Sequence, residues 1–134
     1  MENIEVKLLD QFRKKLIEFL DDIIEQVDQF PEIKGNLITL RIFISDQMPI
    51  VDIMNNFLLY IIPNKTEINC RNDVFFMGQK KFFSNISPKT IQDFKKLWRS
   101  DIFDSEDKEK IWKWVDLFVI IAEKYQKVKT KEKI

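Results

Sequence analysis

Acid–base catalysis and metal binding both start from carboxylates held close together, and this sequence groups them twice. Asp21, Asp22 and Glu25 fall within one or two helical turns, and Asp104, Glu106, Asp107 and Glu109 crowd a second stretch. Such groups could share a proton in glycosidic chemistry or hold Mg²⁺. Each also has a plainer reading. The first cluster lies on the polar side of a helix. The second is what a helix start asks for, a capping Asp followed by acidic residues at the positive end of the dipole. It also lacks the glycine and the twelve-residue spacing of a calcium loop.

What is missing narrows the chemistry further. The chain has no histidine, so Ser–His and Cys–His nucleophiles and His-ligated metal sites are excluded. A single cysteine, Cys70, excludes an intrachain disulfide and a CxxC pair, and is read as a small buried or half-buried residue. Gly35 and Gly78, the two glycines, are too far apart to build a phosphate-cradling loop. No enzymatic activity, cofactor, metal or small-molecule substrate is therefore expected.

Charge gives a second lead. The 22 basic and 22 acidic residues cancel, but they are segregated. Residues 1–33 carry a net −5, 71–99 a net +5, 100–123 a net −4 and 124–134 a net +4. Lys80, Lys81, Lys95, Lys96 and Arg99 sit in the basic stretch with Phe82, Phe83, Phe94 and Trp98 among them. Lysines on phosphates and rings on bases are how single strands of nucleic acid are held. Phe94 and Trp98, four apart on a helix, belong in a core, which leaves Phe82 and Phe83 as stackers. A pI near 6.3 is low for a dedicated nucleic-acid domain, so this remains the second reading.

The elements that must position these residues read as helices. Leu9, Phe12, Leu16, Phe19, Ile23, Val27 and Phe30 recur every three or four residues, which predicts a helix over 4–30 ended by Pro31. Residues 33–44 fit either a strand or a helix. Without a second strand to pair with, helix is favoured. Ser45-Asp46 looks like a cap for a helix over 49–62, ended by Pro63. Short turns are expected in 64–87, including a loop over 78–87. Ser87-Pro88 starts a helix to Arg99, and Asp104 caps the last one. That last helix is apolar almost all round, the mark of a central helix or one shared with a partner. Trp112 and Trp114, about 200° apart, point to opposite sides. The expected interface is Trp112 with Val119 and Lys108, and the Phe82-Phe83 loop is the second choice. The Lys-rich residues 126–134 read as a frayed, flexible tail.

The second half resembles a family of small uncharacterised helical proteins of giant nucleocytoplasmic large DNA viruses. The resemblance is carried by Phe94-Lys95-Lys96-Leu97-Trp98, Asp104-Ser105-Glu106-Asp107-Lys108-Glu109, Ile111-Trp112-Lys113-Trp114 and Ile121-Ala122-Glu123-Lys124-Tyr125. The stretch from Pro49 through Phe57 and Pro63 to Phe75-Phe76 adds to it, so that it covers residues 34–125. It implies a helical protein made in an infected cell and brings no catalytic residues. The Ile/Lys/Asn/Phe-rich composition, with one alanine, suits an AT-rich genome.

The resulting expectation is an all-α chain: one bundle of five or six helices over 1–125, followed by the tail. It would act as a non-catalytic protein–protein interaction module, with a partner or a second copy of itself. The first residues lack an apolar signal core and no apolar run is long enough for a membrane span, so host cytoplasm, virus factory or virion is the expected location.

Overall fold

Asn3 opens the first helix by accepting a hydrogen bond from the Glu5 N–H at 2.9 Å. The computed structural model describes residues 3–78 and 87–132. The helices are α1 (Ile4–Gln26), α2 (Pro31–Asp46), α3 (Ile50–Asn56), α4 (Lys65–Asn69), α5 (Asp73–Met77), α6 (Pro88–Arg99) and α7 (Ser105–Glu132). No strand occurs among the described residues. The all-α bundle expected from periodicity is the architecture that forms.

Residues 33–44 are helical, inside α2. The prolines act differently from expectation at two places. Pro31 does not merely end α1. That helix stops at Gln26, and Pro31 occupies the first turn of α2, where its missing N–H costs nothing. Ser45-Asp46 does not cap α3 but completes α2, and Pro49 is the residue that precedes α3. Pro63 behaves as predicted, with an added consequence. It has no N–H to offer the Leu59 carbonyl, and its ring crowds that oxygen. The turn before it widens into a π-helix over Phe57–Ile61, with the Ile62 N–H reaching back to the Phe57 carbonyl. A short 3₁₀ turn, Ile62–Asn64, follows.

Ser87 caps α6 by accepting from the Thr90 N–H at 3.2 Å. Asp104 and Asp107 form a reciprocal box at the start of α7, each carboxylate accepting from the other's N–H, at 2.8 and 3.2 Å. The helix then continues through Glu132. Residues 126–132 are thus helical and continuous with α7, where a frayed tail was expected. Val128 packs on the core and Lys129 pairs with Glu5 at 3.3 Å.

The core runs along α1 and α7, with α2 and α3 closing its sides. Phe118 sits among aromatic rings: Phe12, Phe19 and Phe57 meet it edge-on with centroids at 5.7, 5.6 and 6.1 Å, and Trp114 stacks at 6.1 Å. Edge-to-face packing suits the ring quadrupoles and adds to what burial of the rings alone contributes.

Candidate functional site

Of the two tryptophans of α7, Trp112 is buried and Trp114 half-buried. The Trp114 indole N–H donates to Asp22 at 3.1 Å, tying α7 to α1. Trp112 is 4% exposed and Val119 5%. Of the expected interface of Trp112, Val119 and Lys108, the two apolar residues are therefore core in this fold and Lys108 is half-buried at its edge. The physical reason is that α5 and α6 bring Phe76 and Trp98 onto Trp112, with centroids at 5.6 and 5.8 Å. Lys108 lies over the Trp98 ring at 5.6 Å, and the Trp98 indole N–H donates to Asp73 at 3.1 Å. Phe82, Phe83, Lys80 and Lys81 lie outside the described residues.

Arg71 closes this aromatic column from the α4–α5 turn. It occupies the left-handed region at φ 56°, the position after a helix end that glycine usually takes. The Asn72 N–H reaches the Glu67 carbonyl and the Arg71 N–H reaches that of Ile68, the paired bonds of a Schellman ending. The side chain compensates for the backbone. Its guanidinium grips Asp116 through two bonds of 2.9 and 2.8 Å, reaches Glu109 at 3.1 Å and lies over Trp112 at 5.6 Å. The Asp116 bonds outweigh burial and, with Glu109, hold the guanidinium firmly charged.

Five of the seven clustered carboxylates have structural partners of the same kind, Glu109 through Arg71. Asp21 accepts from Arg41 at 2.6 Å, Asp22 from Trp114, and Asp104 and Asp107 cap α7. No group of three or more potential metal ligands converges among the described residues. Cys70 is exposed, where a buried or half-buried position was expected.

The seam between α2 and α6 is a different kind of place. Asp93 is 4% exposed although it lies on a helix beside solvent. The Asn36 amide donates to it at 2.8 Å and Lys89 at 3.3 Å, and Lys89 also reaches Glu32 at 3.4 Å. Burial works against the Asp93 charge, but Asn36, Lys89 and Lys96 outweigh it and hold the carboxyl below its usual range. Beside this polar latch lies an apolar cavity of about 160 Å³. Its walls come from all the larger helices, among them Leu20 of α1, Leu40 of α2, Phe57 at the π-turn, Phe94 of α6 and Val115 of α7. Its polar lining residues are Asn56 and Lys95. Leu40, Ile91, Phe94 and Lys95 are half-buried, as are Leu16, Phe19, Ile53 and Asn56, so the α2–α6 seam is one of the cavity's solvent-facing edges and the one that carries a cation.

Lys95 has a second neighbourhood. With Gln92, Lys96, Arg99 and Ser100 it lines a shallow depression at the end of α6. No carboxylate pairs with Lys95, Lys96 or Arg99 within ion-pair distance among the described residues, and Lys96 and Arg99 are exposed. Three of the basic residues singled out in the sequence are thus brought onto one surface. The cavity was missed, because a void is a shortage of side-chain volume between helices distant in sequence. Asp93 gave a readable signal. It sits with Thr90 and Leu97 on the buried face of α6, where a carboxylate needs partners. No helix among the described residues is long and apolar enough to cross a membrane. Comparison with known proteins finds no matching family model, no matching curated protein and no matching solved structure.

Proposed function

We propose that this chain is a non-catalytic helical interaction module that binds a protein partner at the α2–α6 seam. The observation that carries this is the double role of Lys95, which lines both the apolar cavity and the cationic depression of α6. Protein interfaces are built in that way, from an apolar centre that supplies energy and a charged rim that selects the partner. The rim here is cationic, so the partner surface is acidic. The resemblance to small helical proteins of giant DNA viruses gives the setting, an infected cell or its virions. The test is affinity capture from such cells, with and without nuclease, using the wild type and a Lys96→Glu/Arg99→Glu variant. A stoichiometric protein that survives nuclease and is lost with the variant is the expected result. A protein captured equally well by the variant contradicts it.

A second reading rests on the same three cations. Lys95, Lys96 and Arg99 on one surface also suit a phosphate backbone. That reading requires capture to vanish with nuclease, and binding of a single-stranded oligonucleotide to fall steeply as salt rises.

A further inference from the structure

An apolar cavity is costly to maintain. Its walls forgo the dispersion contacts that close packing would give, and each unfilled methylene lowers stability. Here the cavity sits where α1, α2, α6 and α7 meet. It is bounded by Phe57 at the first residue of the π-helix, a distortion often found at binding sites. At about 160 Å³ it matches the size of an apolar cavity, about 150 Å³, known to stay dry and to accept benzene. A phenyl ring is therefore the natural unit of occupancy. The cavity's rim determines what that ring is attached to. Lys95 lies at the edge, with Lys96 and Arg99 beside it and no carboxylate within ion-pair distance of them among the described residues.

We infer that the cavity is an anchor pocket for one aromatic side chain of an acidic partner segment, with the partner's carboxylates on Lys95, Lys96 and Arg99. This rests on the seam reading proposed above and adds the chemistry of the occupant. Buried aromatic anchors ringed by polar contacts dominate the energetics of protein interfaces, and a fixed pocket spares the ordering cost of making one. The ring would supply most of the affinity, and the cations the choice of partner and the salt dependence.

Two probes test it on the full chain by NMR. The first is benzene alone. Binding should shift cavity-wall methyls such as Ile44, Ile111 and Val115 and leave the exposed Ile120, which does not line the cavity, unmoved. The second is a pentapeptide of four glutamates around one phenylalanine, compared with its alanine counterpart and with a version flanked by lysines. The phenylalanine peptide should bind at least about tenfold more tightly than the alanine one, and the lysine version not measurably. Ile91→Trp, at the half-buried rim, should remove both benzene and phenylalanine-peptide binding. Should that variant fail to fold, the alanine peptide on the wild type carries the same comparison. No benzene shift at the wall overturns the inference. So does benzene entry that requires Phe82→Ala/Phe83→Ala, which would make the chain's own phenylalanines the occupant. Peptide binding lost in Lys96→Glu/Arg99→Glu but indifferent to phenylalanine or alanine overturns the pocket while leaving the seam as the partner face.

Discussion

Trp112 shows most plainly how a side chain's chemistry and its place can diverge. A tryptophan on an apolar helix reads equally as an anchor for a partner or as core. Its 4% exposure against Phe76 and Trp98 makes it core. Trp112→Ala should therefore lower unfolding stability by about 3–5 kcal/mol in urea titration, as a large aromatic cavity does. A change under about 1 kcal/mol would mean the ring is not packed as described. Arg71 gives a subtler test, because it combines a backbone that disfavours it with a side chain that holds it there. Arg71→Ala loses the Asp116 clasp and keeps the strained φ, and should cost about 1–2 kcal/mol. Arg71→Gly loses the same clasp but relaxes the backbone, so it should be the more stable of the two by about 1 kcal/mol. An equal loss in both would show that φ is not strained in the native chain. Arg71 was invisible as a clasp in the sequence. Its partners lie 38 and 45 residues away, and an arginine in a glycine's position leaves no mark in periodicity.

The elements themselves were largely legible. The caps at Ser87 and Asp104 and the stripe of α1 follow from local rules, and local rules act within a few residues. Helix ends governed by tertiary contact were not legible. α7 runs on through Glu132 because Val128 finds the core and Lys129 finds Glu5 of α1, contacts distant in sequence. The latch between α2 and α6 also lies beyond local rules, and it carries a pH prediction. The folded state holds the Asp93 carboxyl below its ordinary range, so the unfolded chain takes up that proton more readily. The latch's contribution is complete above the unfolded value of about 4 and is lost as pH falls through the lowered folded value. Thermal melts should show the wild type losing stability below about pH 4 more steeply than Asp93→Asn, which starts less stable and has no such proton to gain. Parallel curves would mean that Asp93 carries no special charge interaction in the fold.

At the scale of the whole molecule, segregated charge and an uneven core come together at one seam. The sequence showed the basic stretch, and three of its five singled-out residues, Lys95, Lys96 and Arg99, share a surface. The apolar cavity beside them could not be read from sequence, because it depends on how six helices fail to fill a space. The proposed interface accordingly moves from the covered face of α7 to the rim where α2 meets α6. Other exposed apolar residues, such as Ile38 on α2 and Ile120 on α7, 38% and 50% exposed, do not line the cavity and serve as its controls. The most direct measurement is site-specific photo-cross-linking in cells that make the protein, with the photoreactive residue placed in turn at Gln92, Ile38 and Ile120. A discrete protein adduct is expected from position 92, weakened by Lys96→Glu/Arg99→Glu, and none from 38 or 120. Adducts from 38 or 120 with position 92 silent would contradict it.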